Sequence, residues 1–222
     1  MANYLTPLRR IAEAVSARLC YDYLCFKGPL FDESYLSHSV SDIICSFYDP
    51  NTVVIRKNHK HAGLGQHAKP KGRKPEIDYV GMDLKSNEAI LAIEAKWAGS
   101  SHCTAENILW DLVRLKILKN LYPRSSCGLL IAGHKSAVDK VFSHKFFAYR
   151  TQHPLNRSFN KRKNFCLINN SDHQPFINKQ LEDWKKTYPD LIVPANLKTQ
   201  LEESSISANP SSRFIARCWR VE

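Results

Sequence analysis

The chain has 222 residues and a mass of 25.4 kDa, enough for a single domain with a sizeable core. A hydrophobic fraction of 43% with 10% aromatics excludes a disordered chain, and a formal net charge of +11 points to a polyanionic partner. Seven scattered cysteines, none in a Cys-x-x-Cys pair, exclude a disulfide framework and a zinc ribbon and fit a reducing, cytoplasmic location. Residues 1–10 lack the apolar core of a secretion signal, and no run reaches membrane-spanning length, so no membrane partner is expected.

Thr6-Pro7 reads as a helix start, and Leu8, Ile11, Ala12, Val15 and Leu19 form an apolar stripe through about Cys20. After a turn at Gly28-Pro29, Asp32 reads as the N-cap of a helix carrying Leu36, Val40, Ile43, Ile44 and Phe47. Glu33 falls in its first turn, where a carboxylate interacts favourably with the helix dipole. Residues 52–57, TVVIRK, are a β-branched strand. The segment that follows has no acid between Asp49 and Glu76, is loosened by three glycines, and carries Lys57, Lys60, Lys69, Lys71, Arg73 and Lys74. A run so one-sided reads as a clamp for a phosphate backbone.

Residues 77–84 and 89–97 then read as two strands joined by the polar turn 85–88. A helix from about Thr104 to Asn120 buries Ile108, Leu109, Leu112 and Leu115, with Asp111 and Arg114 read as a surface ion pair. Residues 127–133, CGLLIAG, are a buried strand, and residues 136–149 are helix-like. No acid occurs from Lys140 to Ser171, where Arg157, Lys161, Arg162 and Lys163 add a second basic stretch interleaved with aromatics. Residues 180–188 read as a short helix, the Pro-, Ser- and Asn-rich stretch 189–212 as a surface loop, and 213–221 as a closing strand. The expected arrangement is one α/β domain over 1–222, with its core at about 30–150.

The chemistry concentrates in residues 75–97, PEIDYVGMDLKSNEAILAIEAKW. On the second strand Leu91, Ile93 and Ala95 share one face, while Glu94 and Lys96 leave the other. A solvated strand face would explain charges in general, but a run as apolar as AILAI is buried, and buried charge must be paired or bind metal. Asp78 reaches the same place if the strands pair as a hairpin. Two converging carboxylates can hold a hard cation such as Mg²⁺, and an adjacent lysine can orient an attacking water or offset charge developing on a phosphate.

The set Asp78 followed by Glu94-Ala95-Lys96 resembles the PD-(D/E)xK nuclease superfamily, the restriction-endonuclease-like fold. The resemblance covers about residues 30–150 in element order and implies a mixed central sheet flanked by helices. It implies Asp78 and Glu94 as ligands of Mg²⁺ (or Mn²⁺ in its place), Lys96 as the catalytic lysine, and Glu33 as a further ligand from the preceding helix. The family's Pro-Asp is here Pro75-Glu76-Ile77-Asp78, so Glu76 competes with Asp78 for the first ligand position. The implied activity is Mg²⁺-dependent endonucleolytic hydrolysis of DNA in restriction, defence or repair. The alternatives are RNA as substrate, or a binding module of the same fold without catalysis. With no recognition domain evident, a second copy or a separate protein would supply recognition.

Overall fold

The computed structural model describes residues 6–64, 75–142, 162–166, 174–189, 191–203, 206, 209 and 211–222. Each of the first three long helices begins where a capping side chain can satisfy its free N–H groups. Thr6 caps α1 (Pro7–Leu24) by accepting from Arg9 N at 3.2 Å. Asp32 caps α2 (Glu33–Phe47) through Tyr35 N at 2.7 Å, and Thr104 caps α3 (Ala105–Leu121) through Asn107 N at 3.3 Å.

The strands are β1 (Val53–Lys60), β2 (Glu76–Asp83), β3 (Ala89–Trp97), β4 (Ser126–His134), β5 (Arg162–Cys166), β6 (Asn196–Glu203) and β7 (Phe214–Val221). Two further helices, α4 (Lys135–Phe142) and α5 (Gln174–Thr187), complete the described elements. The strands form one mixed sheet in the order β1-β2-β3-β4-β7-β6-β5. β3 and β4 pair in parallel through the α3 crossover, and the other described neighbours are antiparallel. An α/β protein with a mixed sheet is therefore what the chain folds into.

One face of the sheet packs on α1 and α2 through Tyr79, Leu91, Ile93, Ala95 and Leu130. The other packs on α3, α4 and α5 through Val80, Ala92, Leu129 and Ile131. β3 and β4 lie centrally with both faces covered, which is why their sequences are nearly unbroken apolar runs. Among the described residues no helix is long and apolar enough to cross a membrane.

The C-terminal third departs from expectation. Residues 196–203 were expected in a loop but form β6, because β7 offers a free edge once β4 covers its other side. Leu197 and Thr199 are buried while Lys198 is exposed, so the period-two pattern of a strand was present beneath the flanking loop-forming residues. β5 likewise lies inside the second basic stretch, and α5 begins at Gln174, six residues before the expected helix. α4 is described to Phe142, and the expected helical residues 143–149 lie outside the described residues.

Gly128, at the centre of β4, allows α1 to approach the sheet. A Cβ there would sit 2.7 Å from Cys218 Sγ and 2.9 Å from both methyl carbons of Leu8. Gly128→Ala is expected to lower unfolding stability by about 1–3 kcal/mol, as overpacking does. Urea unfolding of the variant at unchanged m-value is the measurement, and wild-type stability would mean that the α1–sheet contact is looser than described.

Candidate active site

The site forms where β2 and β3 part. Their paired residues run from Tyr79 opposite Ile93 to Met82 opposite Ala89. Just beyond that ladder, Ala95 N donates to Asp78 Oδ2 at 2.8 Å, so a carboxylate takes a backbone carbonyl's place. On the other side of β2, the β1 register passes from Lys57 opposite Tyr79 to His59 opposite Ile77, skipping Asn58. Asn58 has φ +50°, a left-handed conformation that Asn tolerates better than most residues. The register is the same on both sides of it, so Asn58 stands opposite Asp78.

A cleft of about 80 Å³ opens here, lined by Glu33, Leu36, Ser37, Lys57, Asn58, Asp78, Tyr79 and Ala95. That is several times the ~10–15 Å³ that one water needs on the same measure. Asp32 capping places Glu33 in the first turn of α2, where its Oε2 accepts from Ser100 Oγ at 2.9 Å. Tyr79 O–H, donating to the Ser37 carbonyl at 2.6 Å, ties β2 to the same helix.

Glu94 and Lys96 leave β3 on the side facing α3, sharing a face as their spacing predicts. Glu94 is 1% exposed, and its Oε1 lies 2.9 Å from Arg114 Nη2 without the alignment of a hydrogen bond. Lys96 Nζ lies 3.3 Å from Asp111 Oδ2. Arg114 also pairs with Asp111 and donates to the Glu76 carbonyl. Asp111 and Arg114 are 2% and 9% exposed. The expectation of a surface ion pair is thus corrected: they are paired, but inside the protein and against the candidate catalytic residues. The difference is energetic, since an exposed i,i+3 pair contributes a few tenths of a kcal/mol whereas breaking a buried pair costs about 3–5.

The signal was present in the sequence. Asp111 stands three residues after Ile108 and four before Leu115, within the apolar stripe rather than opposite it. α3 is buried at residues 108, 109, 111–115 and 118, almost all round, so few positions on it could carry a solvated charge.

Burial raises the Glu94 carboxyl well above its usual range; Asp111 and Asp78 push the same way, against Arg114 and Lys96. Burial by itself would lower the Lys96 ammonium, but Asp111, Asp78 and Glu94 outweigh it and the net shift is upward. Lys96 is therefore an ammonium at neutral pH, suited to orienting a group or offsetting negative charge. In this arrangement it is not a base. Three carboxyl groups stand among two cations, and the raised Glu94 carboxyl is where a proton can relieve the surplus of negative charge.

Among the described residues no three acid, histidine or cysteine side chains form a ready-made metal cage. Asp78 lines the cleft together with Glu33, whereas Glu94 and Lys96 leave β3 toward α3 and are not among the lining residues, although Asp78 acts electrostatically on both. Mg²⁺ commonly takes one or two carboxylates and keeps waters and phosphate oxygens for its other positions, so the donors present fit it. Of the expected nucleic-acid contacts, Lys57 lines the cleft and Lys60 is exposed at the end of β1. Arg162 and Lys163 lie in the edge strand β5. Lys69, Lys71, Arg73, Lys74, Arg157 and Lys161 lie outside the described residues. Compared with protein-family models, curated proteins and solved structures, the chain matches none of them.

α3 is tied to the end of β1 by His61, 1% exposed, whose Nε2–H donates to the Arg114 carbonyl at 2.8 Å while Nδ1 accepts from Gly63 N at 3.1 Å. Burial is the main reason that its pKa falls from 6.5 to about 4; the bond to the Arg114 carbonyl opposes the fall, while the charges of Arg114 and His59 add to it. Below pH 6.5 the unfolded chain takes up a proton that the folded one refuses. Stability present at neutral pH should therefore drain away as pH falls from about 6.5 to 4, by up to about 3 kcal/mol. Urea titrations across that window should give a steeper pH slope for wild type than for His61→Gln. Equal slopes would mean that the imidazole is not held neutral.

Proposed function

We propose that the chain is a metal-dependent nuclease of the PD-(D/E)xK kind, hydrolysing phosphodiesters in DNA. The observation that carries this reading is that Asp78, bonded to Ala95 N where β2 and β3 separate, lies close enough to act electrostatically on both Glu94 and Lys96. Support comes from the order α2-β1-β2-β3-α3-β4, in which three antiparallel-paired strands are followed by a parallel fourth. That is the order of the restriction-endonuclease-like core, here extended by β7, β6 and β5 on the far side of β4.

In this reading Asp78 and Glu94 hold Mg²⁺, with Mn²⁺ able to substitute, and Glu33 adds a carboxylate from α2. Asp78 is preferred to Glu76 because its carboxylate enters the cleft, whereas the backbone carbonyl of Glu76 serves Arg114. When bound, the ion supplies Lewis acidity and a water of lowered pKa. Lys96, held as an ammonium, orients the attacking water and offsets charge on the phosphate as it develops. Lys57, on the cleft rim, and Lys60 meet the phosphate backbone, binding it without reading sequence.

A second reading has its own observation. Arg114 already neutralises Glu94, so the same cluster could serve only to hold β3 against α3 in a binding module without catalysis. Supercoiled plasmid with Mg²⁺, Mn²⁺ or EDTA separates the two. The nuclease predicts metal-dependent nicking or linearisation that Asp78→Ala and Lys96→Ala reduce by at least about a hundredfold, consistent with a group acting on charge in the transition state. Lys96→Ala should still retard DNA on a gel. Retardation without cleavage by wild type in every metal would favour the binding module, and RNA cleaved in place of plasmid would change the substrate but not the site.

A further inference from the structure

Resting on the nuclease reading, we propose that Asp111 and Arg114 of α3 are positioning residues for the reacting groups. Asp111 sets the Lys96 ammonium, and Arg114 sets the Glu94 carboxylate. The argument begins with direction. α3 is the crossover between parallel β3 and β4, so it runs back against them, and its later residue meets the earlier strand residue. Arg114 accordingly reaches Glu94, and Asp111 reaches Lys96. Three residues along a helix rise about 4.5 Å and two along a strand about 6.6 Å, a mismatch small enough for the long Arg and Lys chains to absorb.

Arg114 is a fixed point rather than one more mobile side chain. Its guanidinium is held by the Asp111 carboxylate and the Glu76 carbonyl independently of Glu94, and its own carbonyl receives the His61 bond at 2.8 Å. Its planar fork spreads its donors over two terminal nitrogens, so Nη1 holds the Glu76 carbonyl while Nη2 faces Asp111 and Glu94, a span that the single nitrogen of an ammonium lacks. Lys96 is the opposite case. It is a flexible four-carbon chain whose side chain is 15% exposed, beside three carboxylates that could each draw it. Asp111 is the one that contacts it, and this keeps the ammonium away from Asp78 and Glu94, the groups needed for the ion.

The test uses the full-length protein and two variants, with kcat and KM measured on DNA, Mn²⁺ binding by electron paramagnetic resonance, and thermal unfolding. Asp111→Asn keeps shape and an acceptor for Arg114 but removes the charge opposite Lys96. It should lower kcat about 10–100-fold, the usual cost of losing a supporting partner, with KM and Mn²⁺ affinity unchanged. Arg114→Lys keeps the charge and loses the fork, and should weaken Mn²⁺ binding about tenfold as Glu94 loses its orientation. Should Asp111→Asn fail to fold, Asp111→Ser, which also lacks the charge opposite Lys96, replaces it, with the same split between kcat and KM expected. Wild-type kcat in either Asp111 variant overturns the assignment, as does a loss in kcat, KM and Mn²⁺ binding that merely follows the folded fraction. A wild type that cleaves nothing with any metal overturns the nuclease reading itself, a distinguishable failure.

Discussion

The burial of Glu94 in the central strand governs much of what surrounds it. A carboxylate that is 1% exposed, between apolar neighbours on β3, has lost its water and must find compensation within the protein. Arg114 provides it at 2.9 Å, Asp111 and the Glu76 carbonyl hold Arg114 in turn, and Lys96 meets the second oxygen of Asp111. Each partner requires the next, because a half-satisfied buried network costs more than an apolar one. The helix that supplies two of these groups is the crossover that makes β3 and β4 parallel. Fold and charge cluster therefore depend on one another: without α3 against β3, Glu94 would be an unmatched charge.

The same burial gives the cluster its chemical potential. Exposed charges are screened and their interactions weak, whereas charges in a dry interior act strongly on one another and on anything entering among them. The Lys96 side chain, 15% exposed, brings the cluster toward solvent, and Asp78 accepts from Ala95 N where β2 leaves β3. The cleft that Asp78 lines is walled by α2 and by β1 at Asn58, whose φ is positive.

The position of α2 is secured on the far side by a second buried carboxylate. Asp22, near the end of α1, pairs with Arg18 and Lys27 and accepts from the Tyr35 hydroxyl. Burial opposes its ionisation, but Lys27, Tyr35 and Arg18 together hold its pKa down at about 2. Phe31, just before the Asp32 cap, packs against Trp97 with ring centres 6.2 Å apart, and Trp97 directly follows Lys96. The turn that delivers Glu33 is thus held to α1 on one side and to the end of β3 on the other.

The sequence by itself determined the elements whose signals are local. Thr6, Asp32 and Thr104 mark helix starts by capping chemistry, the apolar run of β3 marks a strand covered on both faces, and period-two alternation puts Glu94 and Lys96 on one side. These follow from backbone geometry within a few residues, so no knowledge of the fold was needed. Only the tertiary structure decided which buried charges meet. The place of Asp111 within the apolar stripe marks it as inward-facing, but that it meets Lys96, and Arg114 meets Glu94, came only with the α3 crossover. β6 is the same lesson in the backbone: its alternation was weak among loop-forming residues, and the open edge of β7 made it a strand. Where Asp78 meets Ala95 was also beyond local reading, since it depends on where two strands stop pairing, and that is set by everything packed around them.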